Sequence, residues 1–96
     1  MIVSFGDKTT EDIFHGHDTK AARRIAQGLW TRVQAKLDLL NASMTLEDLR
    51  APPANRLEKL RGDWAGFHSV RVNDQYRVVF RFTNGSATDV RCMDYH

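Results

Sequence analysis

Apolar positions along the chain change period near its middle. Ala22, Ile25, Ala26, Leu29, Val33, Leu37 and Leu40 recur at spacings of three or four, the stripe of an amphipathic helix. The opposite face of that segment carries Lys20, Arg23, Arg24, Gln27, Arg32 and Lys36. Asp18 or Thr19 can cap it, so the pattern predicts one long helix ending near Asn41, about five to six turns in length. Gly28 lies inside it at a cost of about 1 kcal/mol relative to Ala, either for close packing or incidentally.

Shorter signals flank this stripe. Met1-Ile2-Val3-Ser4-Phe5 is a β-prone run closed by Gly6-Asp7, and Thr10-Glu11-Asp12-Ile13-Phe14 predicts one or two helical turns stopped at His15-Gly16-His17. Thr45-Leu46-Glu47-Asp48 has the form of a capping box, and Arg50-Ala51-Pro52-Pro53-Ala54-Asn55 breaks all regularity. Beyond Leu57 the period becomes two. Residues 57–60, 67–72, 75–82 and 86–94 read as strands, with Asn73-Asp74 as a two-residue hairpin signal and Asn84-Gly85 as a stronger one. The predicted fold class is α+β: an N-terminal strand and helices packed on one face of an antiparallel sheet of about four to five strands.

Composition narrows the class. Ninety-six residues, 42% hydrophobic and 27% charged, predict one globular domain spanning 1–96. No apolar run approaches the ~20 residues that span a bilayer. The first ten residues include Asp7 and Lys8 and lack the apolar core of a secretory signal. One cysteine, Cys92, makes neither an internal disulfide nor a zinc site. The expectation is a cytoplasmic, soluble domain, monomeric when free and without membrane contact. Net charge is only +2, yet ten of the fourteen basic residues are arginine, the side chain suited to planar contact with phosphate or carboxylate. An RNA partner, an acidic protein partner and a merely solvated basic surface all fit that balance.

Strand alternation then sorts candidate residues by face. Tyr76, Val78, Phe80 and Phe82 form the expected core face of one strand, while Arg77, Val79 and Arg81 point to a face left open. Arg71 and Arg91 join them in some registers, and an arginine cluster on a sheet face is either a phosphate-binding surface or an ordinary solvated one. The chain ends in Met93-Asp94-Tyr95-His96. A tyrosine that can stack on an unpaired base stands there beside an imidazole that titrates near neutrality. A harmless terminal segment is the alternative. His15 and His17 lack a nearby third metal ligand, so no metal site is predicted. Cys92, His68, Trp30 and Trp64 read as structural, and no nucleotide-binding loop or Ser/His/Asp signature is present.

Three segments taken together resemble a known family. They are Leu57-x-x-Leu60-x-Gly62-Asp63-x-x-Gly66, the run from Ser69-Val70-Arg71-Val72-Asn73-Asp74-Gln75 to Tyr76-Arg77-Val78-Val79-Phe80, and the terminal Asp94-Tyr95-His96. With Met1-Ile2-x-Ser4-Phe5 and Arg50-x-Pro52-Pro53-x-Asn55-Arg56-Leu57, they resemble the HigB-type toxins, the killer-protein branch of the RelE/ParE superfamily. The resemblance covers essentially the whole chain and is most specific from Arg50 onward.

It implies a compact microbial-RNase-like domain that cleaves messenger RNA on the ribosome, with no cofactor. It also implies control by a HigA-like helix-turn-helix antitoxin, through which alone operator DNA is contacted. The family pattern singles out Arg77 and His96. On that basis Arg61 and Arg77 would clamp the scissile phosphate, His96 would transfer a proton to the leaving oxygen, Asp94 would orient or charge-stabilise His96, and Tyr95 would pack a flipped nucleotide or steady the tail. Lys59, Arg71, Arg81 and Arg91 are the further RNA-binding candidates. Some members carry a histidine two residues after Arg56, where this chain has Glu58. Glu58 is then a candidate general base, a salt-bridge partner of Arg61 or Arg77, or neither, with the ribosome positioning the 2′-hydroxyl. Related folds also include toxins that only bind and poison a target, and that is the alternative function.

Overall fold

In the computed structural model, which describes residues 1–95, the alternating second half of the chain forms one antiparallel meander. β1 (Glu58–Lys59), β2 (His68–Arg71), β3 (Tyr76–Thr83) and β4 (Ser86–Asp94) lie in spatial order β1-β2-β3-β4. The register sets Val70 against Val78 and Val78 against Cys92, with Arg71 opposite Arg77 and Arg77 opposite Met93. Asn84 and Gly85, at φ of 50° and 81°, make the tight β3–β4 turn between paired Thr83 and Ser86. Positive φ at both central residues is the hairpin geometry that Asn-Gly favours.

The Asn73-Asp74 signal marks a longer connection than two residues. Val72 N–H bonds to the Tyr76 carbonyl, and the Asn73 side-chain oxygen accepts from the backbone N–H groups of Gln75 (2.9 Å) and Tyr76 (2.7 Å). An Asx turn thus supplies the acceptor that a tight hairpin would take from the ladder.

The helical half departs further from its pattern. α1 (Lys8–Phe14) is capped by Asp7, which accepts from Thr10 N–H. The long stripe is not one helix. Two short 3₁₀ turns, Ala22–Arg24 and Gln27–Leu29, precede α2 (Trp30–Ala42). Ile25 and Ala26 are extended, with ψ of 132° at each. The Trp30 indole N–H donates to the Ile25 carbonyl at 2.8 Å, satisfying an acceptor that a continuous helix would have used internally. Thr19 links this turn to α1: its hydroxyl donates to buried Asp12 at 2.6 Å and accepts from Ala22 N–H at 3.0 Å. These tertiary anchors outweigh helical propensity, already weakened at Gly28. Ala22 and Ile25 are buried all the same.

Among the described residues the N-terminal run pairs at two parallel bridges on β4, Ile2 with Ala87 and Phe5 with Val90. Between them Asp89 takes a positive φ of 53° and its N–H turns to the Ser4 hydroxyl, which interrupts a continuous ladder.

Helices and sheet close over Ile13, Val33, Leu37, Leu40, Leu49, Val70, Val78, Phe80 and Val90, all fully buried. The opposite sheet face is not open. Leu60, Phe67 and Val79 form a second small core there, flanked by Trp64, Met93 and Tyr95. The 60–67 segment folds back over the sheet, with Leu60 N–H bonded to the Phe67 carbonyl. Among the described residues no helix is long and apolar enough to cross a membrane.

This packing is testable at two points. Leu37→Ala should cost about 2–5 kcal/mol in urea unfolding, because a fully buried side chain leaves a cavity. The second point is His68, whose Nδ1 is buried with no hydrogen-bond partner, on the face stacked against Phe80. Burial, with Lys59 adding to it, pushes this imidazole below its ordinary 6.5. The unfolded chain therefore takes up this proton more readily than the folded one. The stability due to neutral His68 is complete above pH 6.5 and declines as the pH falls below it. His68→Phe should flatten that limb of the stability–pH curve.

Candidate active site

β3 carries Arg77 into the sheet centre, on the face of the second core. Its residue is only 8% exposed, so the guanidinium requires acceptors. Nε donates to the Ser69 hydroxyl at 2.7 Å. Nη2 donates to the Arg56 carbonyl at 2.5 Å and, more weakly, to the Ser69 carbonyl at 3.4 Å. Arg56 presents its carbonyl from a left-handed conformation, φ 44° and ψ 58°, immediately after the Pro53–Asn55 turn. Glu58 stands further off, with Oε1 3.9 Å from Nη2, and its side chain is half exposed. Burial pushes the Arg77 guanidinium pKa below its ordinary value; Glu58 and Tyr95 oppose that shift, while Arg71 and Arg56 reinforce it.

These groups line a cavity of about 230 Å³: Arg56, Glu58, Arg71, Asn73, Asp74, Arg77 and Tyr95. Among the described residues three guanidinium-bearing side chains face two carboxylates, and Arg71 is already paired with exposed Asp74. A desolvated cation held rigidly at the floor of such a cavity is suited to an oxyanion, whose charge it meets without reorganising. Glu58 offers a proton acceptor at the rim, and Tyr95 a phenol and a ring.

The predicted residues divide accordingly. Glu58, Arg71, Arg77 and Tyr95 come together here. Asp94 lies at the end of β4, opposite Tyr76 in the ladder, and accepts from the Gln75 amide at 3.1 Å. His96 lies outside the described residues. Arg61 is exposed at the head of the Gly62–Trp64 turn and is not among the cavity's lining residues. Lys59 pairs in register with His68, so alternation sends it to the other face from Glu58.

Arg81 and Arg91 border the second core instead. Arg81 lies over the Phe67 ring at 4.2 Å and 3.7 Å from Asp89. Arg91 lies over the Trp64 ring at 5.4 Å. Its guanidinium sits so close to Gly6 that a Cβ there would come within 2.4 Å of it. The open arginine face expected from alternation is thus corrected: Arg77 is buried, Val79 is core, and Arg81 alone of the three stays exposed, with its guanidinium over the Phe67 ring. The strand pattern alone carries no information on what folds over its second face.

Sequence reasoning missed the roles of Arg56 and Ser69. Alternation places Ser69 on the Arg77 face, but only the register shows it to be the anchor; Arg56 acts through a carbonyl, which no side-chain pattern signals. Cys92 is buried and its thiol is pushed up to about 12 by burial, as befits a packing residue. Among the described residues no group of three or more potential metal ligands gathers, and the His15-Gly16-His17 turn stays exposed.

Comparison with known proteins agrees with this architecture. The chain is 39% identical over 87 residues to Toxin HigB-1 of Vibrio cholerae serotype O1, covering 91% of this chain and 90% of that one. It is 29% identical over 96 residues to Endoribonuclease HigB of Proteus vulgaris, covering 100% of both. Its fold matches a YafQ mutant from E. coli at a TM-score of 0.65, with 17% identity over 98% of this chain and 91% of that one. It matches a chain of the YoeB–YefM complex from Staphylococcus aureus at 0.61, with 14% identity over 100% and 98% of the two chains. Residues 3–96 match the family model described as the RelE-like toxin of the type II toxin–antitoxin system HigB. With that match across nearly the whole chain, the protein belongs to the HigB-like toxins of type II toxin–antitoxin systems.

Proposed function

We propose that this toxin is a ribosome-dependent endoribonuclease that cuts messenger RNA through the substrate's own 2′-hydroxyl. The observation that carries the reading is the buried Arg77 guanidinium at the floor of a cavity rimmed by Glu58 and Tyr95. Endoribonuclease HigB of Proteus vulgaris, similar over the whole chain, supports the same activity.

In the proposed reaction the 2′-oxygen attacks phosphorus in line with the departing 5′-oxygen, leaving a 2′,3′-cyclic phosphate and a free 5′-hydroxyl. The nucleophile loses a proton and the leaving oxygen gains one. Arg77 stabilises the charge that builds on the non-bridging oxygens, with Arg56 and Arg71 in the same cavity as supporting cations. Arg61, which does not line that cavity, is assigned to flanking backbone rather than to the scissile phosphate. Glu58 is the candidate base. His96, next in the chain after Tyr95, is the candidate acid, with Asp94 as its electrostatic partner. Tyr95 holds the displaced nucleotide against the rim. This chemistry calls for no metal, because cations and proton carriers come from side chains. The ribosome supplies the messenger in an unpaired, accessible conformation. Between episodes of activity a HigA-like helix-turn-helix antitoxin holds the toxin and carries any contact with operator DNA. The solved YoeB–YefM complex of a protein with this fold supports a complexed form.

Primer extension on a defined messenger, with and without ribosomes, tests the reading. Wild type should give discrete cuts only on ribosomes. Arg77→Ala should lower the cleavage rate by about 10²–10³-fold, and His96→Gln by about 10²–10⁴-fold, with ribosome affinity kept within a few fold. Arg77 is buried, so Arg77→Lys serves beside it, and a melting curve verifies folding of each variant. Growth arrest by wild type without any cut would replace the nuclease with a binding poison. Separately, a chain truncated after Tyr95 should melt as wild type does yet lose cleavage. Normal cutting by that truncation would remove His96 from the mechanism.

A further inference from the structure

A second basic cavity of about 370 Å³ adjoins the first and shares Arg71 with it. It is lined by Arg32 and Lys36 of α2 and by Arg71 of β2, with Ala35, Ala54 and Val72 completing the walls. Among its described lining residues there is no carboxylate. Among the described residues the acid paired with these cations is Asp74, which holds Arg71 from the side of the first cavity.

The groove is built rather than incidental. Asn55 is fully buried, and its amide donates to the carbonyls of Leu49 (3.3 Å) and Ala51 (3.2 Å). Its side-chain oxygen is thereby left to accept the Lys36 ammonium. The next residue, Arg56, gives its carbonyl to Arg77. Two consecutive residues of one loop therefore position a cation in each cavity, with Arg71 between them. Burial, and then the charges of Arg32 and Arg71, push Lys36 below its ordinary 10.5. Like charges converging on one concavity oppose one another until an anion arrives.

We propose that the Arg32–Lys36–Arg71 groove is a second phosphate subsite, which holds RNA backbone next to the phosphate seated at Arg77. The inference rests on the RNA-cleaving reading, because continuity through Arg71 with the Arg77 cavity is what favours a polyphosphate strand over an acidic protein. The shared chemistry is the phosphodiester, and its source is either the messenger flanking the cut or ribosomal RNA.

The test is binding of wild type, Arg32→Gln, Lys36→Gln and the double variant across a salt series. One arm uses ribosomes programmed with a messenger blocked by 2′-O-methyl groups, and the other uses vacant ribosomes. The double variant should bind about tenfold more weakly, and the slope of log affinity against log salt should fall by about 0.7 for each phosphate of a single strand that is no longer neutralised. Weakening confined to programmed ribosomes assigns the groove to messenger, and equal weakening in both arms assigns it to ribosomal RNA. Unchanged slopes in both arms overturn the proposal, whatever happens to binding of an acidic protein. Arg32 is exposed and makes no part of the core, so its single variant decides the matter if Lys36→Gln disturbs Asn55. Binding is read on uncleavable RNA. Failure of wild type to cut would therefore count against the nuclease reading alone, and unchanged slopes with normal cutting would count against the subsite alone.

Discussion

A guanidinium buried in the middle of a β-sheet is the constraint around which this protein's site is organised. Arg77 cannot be left without acceptors at 8% exposure. The acceptors come from two other places in the chain, the Ser69 hydroxyl on β2 and the Arg56 carbonyl after the proline turn. Satisfying one cation therefore fixes the register of β2 against β3 and docks the 53–56 segment beside them. The same anchoring leaves positive charge directed at a cavity in which Glu58, 3.9 Å away, compensates it only loosely. A rigid, partly compensated cation is the electrostatic condition for stabilising charge that appears only in a transition state.

The rest of the basic surface is divided by the same packing. On one face of the sheet the helices cover an aliphatic core. On the other, Leu60, Phe67 and Val79 need cover of their own, and the 60–67 segment with Trp64, Met93 and Tyr95 supplies it. Arg81 and Arg91 lie over Phe67 and Trp64, where their planar groups pack on aromatic faces. Gly6 leaves the space Arg91 occupies. Arginines that look equivalent in a strand pattern thus do different work: Arg77 floors a cavity, Arg71 joins two, and Arg81 and Arg91 edge a small core.

Much of the sheet was legible in the chain, since β3 alternates apart from Val79 and Asn84-Gly85 can take the two positive φ values a tight turn demands, whereas the irregularity at Asp89 in β4 gave no such signal. The terminal Tyr95 and the arginines at 71 and 77 were also identifiable as one candidate set, because alternation puts Arg77 off the helix-facing side and the family resemblance marks it. Less was legible in the helices. A stripe spaced at three and four residues is compatible with a continuous helix and with two short turns that bury Ala22 and Ile25 and leave Ala26 exposed. Thr19, Asp12 and Trp30 decide between them through hydrogen bonds that span separate elements.

The sequence by itself determined the order of the strands, the helix-facing side of β3 and the residue types available for handling an anion, because those depend on local periodicity and side-chain chemistry. Only the tertiary structure decided that Arg77 is buried while Arg81 is not, that Lys59 pairs with His68 on the face away from Glu58, and that Arg61 stands outside the cavity. It also decided that a backbone carbonyl at Arg56 and a buried Asn55 hold the cations of two neighbouring cavities. Those outcomes turn on which segments fold over a given face and on where a left-handed residue aims its carbonyl. Both are set by contacts between residues far apart in the chain, which no local pattern records.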